Sequence, residues 1–382
     1  MPQVLEPPVE LHGHETPNAR DGARDGARDG AGAKGPLHQT TPARIFTAMV
    51  VFGPLLGVVV AMVALFGHGV SITDLVLALT GFVVTGHGLS TGFHRLFSHR
   101  SFVPARWAKI ALAVAGSMAF EGSLIGWVAN HRRHHAYTDR EGDPHSPYAY
   151  GTSGRALVRG LVHAHVGWLF QGQRTEEARW APDLLADPDL VLVSNLFPLW
   201  CVLSLAVPAL IGWAMTGTLA GAIGGFVWGG LVRIFFLHQT TFAVNSACHI
   251  WGDRPFVTRS SDRSTNLAPL AILSMGDNWH NLHHSLPVLA RHGVDPGQLD
   301  SSARLIRILE WMGAATEVRW PSPAMLDARR RPDARRRADT RRADTRRADT
   351  RNPDTRNVDT RQPGRSLRSR APDEQIAQHS GS

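Results

Sequence analysis

The sequence predicts an all-α membrane protein with four transmembrane helices in two hairpins, joined by a long histidine-bearing connection. Three observations predict it. Four stretches are apolar, almost free of charge and long enough to cross a bilayer core of about 30 Å as helices. The links inside the two hairpins contain no Lys or Arg, whereas the connection from His94 to Asp189 carries eleven. Three tight histidine clusters lie just beyond the ends of the apolar runs.

The chain has 382 residues, 43% hydrophobic and 19% charged. Residues 1–44 form an N-terminal arm in which Ala19-Arg20-Asp21-Gly22 recurs twice more up to Gly30. Residues 326–382 form a tail built on the pentad Arg336-Arg337-Ala338-Asp339-Thr340. Neither repeat has the apolar area to offset the entropy of ordering, so both are expected to be disordered, and their periods are too short for a solenoid. The formal charge of +8 resides wholly in Ala328–Ser382, where 16 Arg outweigh eight acids and leave 24 of each sign in Met1–Asp327. A basic nucleic-acid-binding domain is thereby excluded; the tail reads as a solvated extension or a contact for anionic lipid. No charged n-region with a short apolar core opens the chain, so no signal peptide is expected. Cys201 and Cys248, both in apolar surroundings, are expected to be buried and reduced.

Between the ends, 45–325 is the membrane domain. Ile45–Phe66 is the first span, and Ser71–Gly92 the second, with Asp74 near its start. Leu190–Met215 is the third and Thr218–Leu237 the fourth, with Arg233 near its end. The bias of Lys and Arg toward the long connection places it, and both termini, in the cytoplasm. Ile110–Val128 is apolar but for Glu121; read as a fifth span it would part the histidine clusters, so it is expected to be re-entrant or interfacial.

The clusters are His94-Arg95-Leu96-Phe97-Ser98-His99, His131-Arg132-Arg133-His134-His135 and His280-Asn281-Leu282-His283-His284. Histidines three and four apart share a helix face, so each HxxHH can aim its rings into one cavity. Neutral imidazole suits iron, copper and zinc, and eight such ligands exceed the needs of one ion, which points to two. The remaining histidines read as bystanders. His12, His14, His38 and His379 fall in the end segments, and His68 and His292 read as solvated loop residues. His87, His163, His165 and His238 read as satisfied polar groups near a membrane boundary. Asp139, Asp143 and Asp277 either orient ligand imidazoles or serve as caps and surface charge.

With HxxxxH, HxxHH and HxxHH in that order among four spans, the chain resembles the integral-membrane fatty acid desaturases, in wording the stearoyl-CoA Δ9 branch. The matching strings are Gly92–Phe102, His131–His135 with Asp143-Pro144-His145, His165–Leu169, Asn245–His249 with Gly252 and Pro255, and His280–His284 with Ser285 and Pro287. The resemblance runs from Ile45 to Pro321. It implies four spans under a cytosolic helical cap, a di-iron centre with His249 as ninth ligand and Asn245 as partner of a metal-bound water. It also implies an acyl chain in a bent tunnel lined near Glu121, Trp127 and Thr241, with Glu121 standing where the family has Gln. The reaction implied is a cis desaturation, Δ9 by analogy, using dioxygen and electrons from a separate donor of ferredoxin or cytochrome b5 type with its reductase. The Arg-Asp pair that helps hold coenzyme A in the animal enzymes is Ala129-Asn130 here, so acyl-lipid and acyl-carrier protein stand beside acyl-CoA. Membrane hydroxylases and ketolases share the boxes, and a metal-binding membrane protein is the rival from another class. A transporter would carry ionisable residues within its spans, and a zinc protease an HExxH, which is absent.

Overall fold

A computed structural model describes residues 40–171, 174–336 and 340, with side chains 64–68 excepted. The Ala-Arg-Asp-Gly and Arg-Arg-Ala-Asp-Thr repeats lie almost wholly outside that range, as does the side chain of His68. The described chain is helical apart from one two-residue antiparallel pairing, Val103–Pro104 with Ala315–Thr316, and isolated bridges. Among the described residues four helices are long and apolar enough to cross a membrane: Thr41–Val63, Ile72–Ser98, Phe197–Thr216 and Leu219–His249. Ile110–Val128 is not among them.

Helix α1, Thr41–His68, starts where the Thr40 hydroxyl accepts from the Ala43 N–H and Pro42 occupies the first turn, where a missing N–H costs nothing. Gly69, at φ 68°, ends it. Helix α2, Ile72–His87, opens with a capping box between Ser71 and Asp74, which accounts for the carboxylate at this end of the span. The expected boundaries at 45 and 325 both fall inside helices, since α1 begins at Thr41 and a helix runs Pro323–Arg329. The latter is capped by Ser322, and Arg329–Arg331 pair with Pro255–Val257 through backbone hydrogen bonds.

Beyond α2 the second span continues to Ser98 as a π-helix, Gly88–Ser98, all eleven residues of it buried. Helix α3, Arg106–Ser117, lies across it: a Cβ at Gly88 would collide with the backbone of Ala115–Gly116, and one at Gly116 with the Phe93 ring. Two glycines thus set the distance of closest approach. The run Ile110–Val128 is broken after Ser117, turns through Phe120 (φ 67°) and Gly122 (φ 106°), and resumes as helix α4, Leu124–Tyr137.

Two spans differ from the expected ones. The run Leu190–Met215 divides at Leu196, so the third span starts only at Phe197; Pro198 has no N–H with which to continue the preceding helix, Pro188–Asn195. The fourth span runs past Leu237 to His249, because its polar last third is covered by protein instead of lipid. Arg233 therefore lies mid-span, 4% exposed. Its guanidinium donates to the carbonyls of Gly229, Met118 and Ser204 and to the hydroxyls of Thr85 and Ser204, tying the second, third and fourth spans to the end of α3. Cys201 and Cys248 are buried and free.

Candidate metal centre

Each histidine cluster reaches the centre on its own scaffold. His94 is held by the wide π turn, a helix form that recurs at functional sites, and His99 caps that segment. His131, His134 and His135 lie on the last two turns of α4, and His280, His283 and His284 on the short helix His280–Ser285. His249 ends the fourth span in a 3₁₀ turn. The nine rings form two groups that could each hold a metal ion: His94, His99, His131, His135 and His283, and His134, His249, His280 and His284.

The Nε2 atoms point inward. Those of His94 and His283 lie 2.9 Å apart, His283 and His135 2.8 Å, and His99 and His131 2.8 Å. In the second group His280 is 3.1 Å from His249 and 3.0 Å from His284, with His134 and His284 at 3.4 Å. A neutral imidazole nitrogen either donates or accepts. A single proton on the Nε2 of His283, or of His280, can at best be shared between two partners, whereas a cation among the lone pairs satisfies each of them in full. The donor set fits a metal ion. Burial, and then the neighbouring imidazoles, hold His99, His131, His135, His280 and His283 well below the usual histidine pKa, in the neutral ligand form.

Carboxylates face the outer nitrogens. His134 Nδ1 is 2.9 Å from Asp143, His249 Nδ1 2.8 Å from Asp139, His284 Nδ1 3.0 Å from Asp262 and His94 Nδ1 3.1 Å from Asp277. Burial opposes ionisation of all four, yet their histidine partners hold each below the ordinary aspartate range. Such carboxylates fix tautomer and ring direction. Asp139 and Asp143 thus take the orienting alternative, whereas Asp277 lies near His94 without a completed hydrogen bond and accepts from Arg95. Asp262 went unnoticed because nothing in its spacing ties it to a ligand 22 residues away. Asp262→Asn is expected to weaken metal retention about 10–100-fold against a chelator with an unchanged circular dichroism spectrum; unaltered retention would remove the carboxylate from the account.

His292 is not the solvated loop residue expected. It is 1% exposed, and its Nδ1 lies 3.2 Å from Arg95 and 3.6 Å from Asp277. Arg95, fully buried, also donates to Asp300, Asp277 and the Ala290 carbonyl. Asp300 accepts in addition from the Ala303 N–H as a helix cap. The sequence signal was only that an arginine follows His94. His145 is buried and stacks on His134 at 4.2 Å between ring centres. The other bystanders have ordinary partners: His87 with Thr91 and Ser302, His165 with Ser246 and Gln239, and His238 with the Ala119 carbonyl. His163 is buried with its ring edge-on to Tyr150.

Two cavities adjoin the histidines. One of about 300 Å³ is walled by Phe46, Val50, Glu121, Phe197 and Phe242 among others, and one of about 40 Å³ by Gly86, Leu89, Leu237, Thr241 and Met275 among others. Both include Trp127, His131 and Asn245 in their walls. Trp127 stacks on His131 at 5.1 Å and donates its indole N–H to Glu121 at 3.2 Å. Of the residues expected along a tunnel, Glu121 lines the larger cavity, Thr241 the smaller and Trp127 both, and Asn245 borders both.

Fold and site define a multi-pass membrane protein with a buried histidine centre able to hold metal. The family model for fatty acid desaturases matches residues 73–307, and the chain belongs to that family. Among its relatives, hex-5-enoyl-[acyl-carrier protein] acetylenase of Moorena producens is 35% identical over 72% of this chain and 86% of its own. The sn-1 stearoyl-lipid 9-desaturase of Anabaena variabilis is 32% identical over 64% and 83%. The acyl-CoA C20 Delta5-desaturase of Anemone leveillei is 35% identical over 62% and 70%. The protein is accordingly an oxygen-dependent oxidoreductase acting on fatty acyl substrates.

Proposed function

We propose that this protein introduces a cis double bond, at Δ9, into a saturated long-chain acyl-CoA, with dioxygen and electrons from a separate donor. Two irons would be held by His94, His99, His131, His135 and His283, and by His134, His249, His280 and His284, with Asn245 beside them. The observation that carries this reading is that both histidine groups line the smaller apolar cavity, through His94, His131 and His280, and that this cavity shares the walls Trp127, His131 and Asn245 with the larger one.

No side-chain acid or base can remove hydrogen from an unactivated methylene, and the oxidising power comes from the metal pair with dioxygen. The chain's own residues supply position. A saturated chain threaded from the larger cavity to the smaller passes the Trp127–His131 stack, which sets the carbon presented. Phe46, Val50, Phe197 and Phe242 take up methylenes at roughly 0.8 kcal/mol each. The Δ9 position rests on Δ9 relatives such as the Anabaena enzyme. The named relatives act on carrier-protein, lipid and CoA substrates, so the carrier is decided by the test. The excess of Lys and Arg in the long connection supports a cytoplasmic centre, in the cell membrane, with both termini on that side.

The test supplies purified protein, iron, reductant and dioxygen with stearoyl-CoA, stearoyl-carrier protein or a stearoyl glycerolipid. Gas chromatography–mass spectrometry then locates the bond. A Δ9 cis product from stearoyl-CoA is expected. A hydroxylated or keto product would move the chain to the sister chemistry, and a product from the lipid or carrier protein alone would replace the carrier.

Glu121 gives this reading a pH signature. Burial raises its pKa to about 8, against the Thr241 hydroxyl and Trp127 indole, so it is neutral at pH 7. Ionisation as pH rises through about 8 places a charge in the apolar tunnel, and KM for the acyl substrate should climb there. In Glu121→Gln the alkaline rise should vanish; its persistence would assign it to another group.

A further inference from the structure

Resting on the reading above, we propose that Arg140, Arg259 and Arg263 form the docking surface for an acidic one-electron donor protein. All three are exposed, and among the described residues none lies within ion-pair distance of a carboxylate. On the long connection Arg100 and Arg132 pair with Asp183, Arg106 with Asp189, and Lys109 with Asp187 and Asp189, whereas Arg133, Arg155, Arg159 and Arg179 meet no carboxylate among the described residues; what singles out Arg140, Arg259 and Arg263 is their position.

The three arginines also stand directly over the histidine groups. Arg259 donates to the carbonyl of His135 at 3.1 Å, and Arg140 to that of the next residue, Ala136, at 2.7 Å. These contacts place both guanidiniums at the C-terminal end of α4, the helix that carries three histidines of the centre. The backbone N–H of Arg263 meets Asp139 at 2.9 Å, and the same carboxylate oxygen holds His249. The guanidinium of Arg263 lies 4.2 Å from the centre of the Tyr148 ring, whose hydroxyl donates to the His249 carbonyl. One contact thus leads to each histidine group. His99 and His135 are partly exposed residues, whereas the His284 side chain is only 1% exposed. Glu141, exposed beside Arg140, subtracts one charge without pairing.

The stoichiometry requires a visitor. Removing two hydrogens from the chain while dioxygen becomes two waters consumes two further electrons and two protons. A one-electron carrier, oxidised once per visit, must therefore dock twice per turnover. Unpaired cations steer an acidic partner and fix its orientation, acting chiefly on encounter. The competing role, capping helix carbonyls, predicts a different result: loss of stability with no preference among reductants.

The experiment uses the full iron-loaded chain in an uncharged detergent. Turnover is driven by a reduced acidic plant-type ferredoxin; in the comparison, which needs no docking, the protein is reduced with dithionite without oxygen, freed of excess reductant and mixed with dioxygen for a single turnover. In the triple variant R140Q/R259Q/R263Q, KM for ferredoxin should rise about tenfold or more and its salt dependence should flatten. The single-turnover rate after dithionite should stay within about twofold, and the triple Arg→Lys variant should behave as the parent. Affinity for oxidised ferredoxin, read without turnover, should fall in parallel. The proposal is overturned by an unchanged affinity, by equal losses with both reductants, or by a rise in KM for the acyl substrate alone. Absence of product from the parent with either reductant would refute the reading of function, while the binding comparison would still decide the docking surface.

Discussion

Replacing His283 by Ala should abolish product formation and empty the five-histidine group while leaving the protein folded. Its Nε2 is the point at which the first and second clusters meet, 2.9 Å from His94 and 2.8 Å from His135. The side chain is wholly buried in a fixed shell that includes His292, with 4.7 Å between ring centres. Truncation takes away one lone pair where two others converge, and the remaining four ligands lose their common focus. Activity should fall to background, with the metal per chain falling toward half. The His292→Ala variant is the contrast: that ring contacts Arg95 and Asp277, not the inward nitrogens, so part of the metal should remain. Full activity in His283→Ala would remove this residue from the ligand set.

Arg233→Met should lower stability by roughly 1–3 kcal/mol, with no direct change at the histidines, since a stranded buried polar group costs about that much. In the parent every N–H of the guanidinium has an acceptor, and those acceptors come from three spans and the end of α3. Met fills similar volume but leaves the Ser204 carbonyl, which faces Pro208 and so has no helical donor, without a partner in a region where water cannot replace it, while the Met118 carbonyl keeps the Ser204 hydroxyl. The melting temperature in detergent should drop, and Arg233→Lys, with a single short reach, should recover only part of the loss. A variant as stable as the parent would show that these contacts are incidental.

The spans were legible because the absence of charge is a property of composition, which the bilayer reads one residue at a time. Their ends were less so. The third starts late because Pro198 interrupts a run whose apolarity does not, and the fourth overruns because residues from His238 to His249 are shielded by protein that sequence alone does not reveal. The metal centre was legible because the HxxHH spacing encodes a shared face, so six of the nine rings announce their common direction locally. What surrounds them is not encoded locally. Asp262 and Asp300 earn their places through partners 22 and 205 positions away. His292 resembles any loop histidine until the fold closes over it. Nor does the sequence announce that Gly88–Ser98 adopts a π-helix, or that Gly88 packs against Gly116, 28 positions away.

The most direct test is the count and kind of metal in the purified protein, by elemental analysis together with Mössbauer spectroscopy of iron-enriched material. Five histidines in one group and four in the other predict two irons per chain, in two distinct environments of equal area. A single iron, two indistinguishable irons, or zinc in their place would contradict the account.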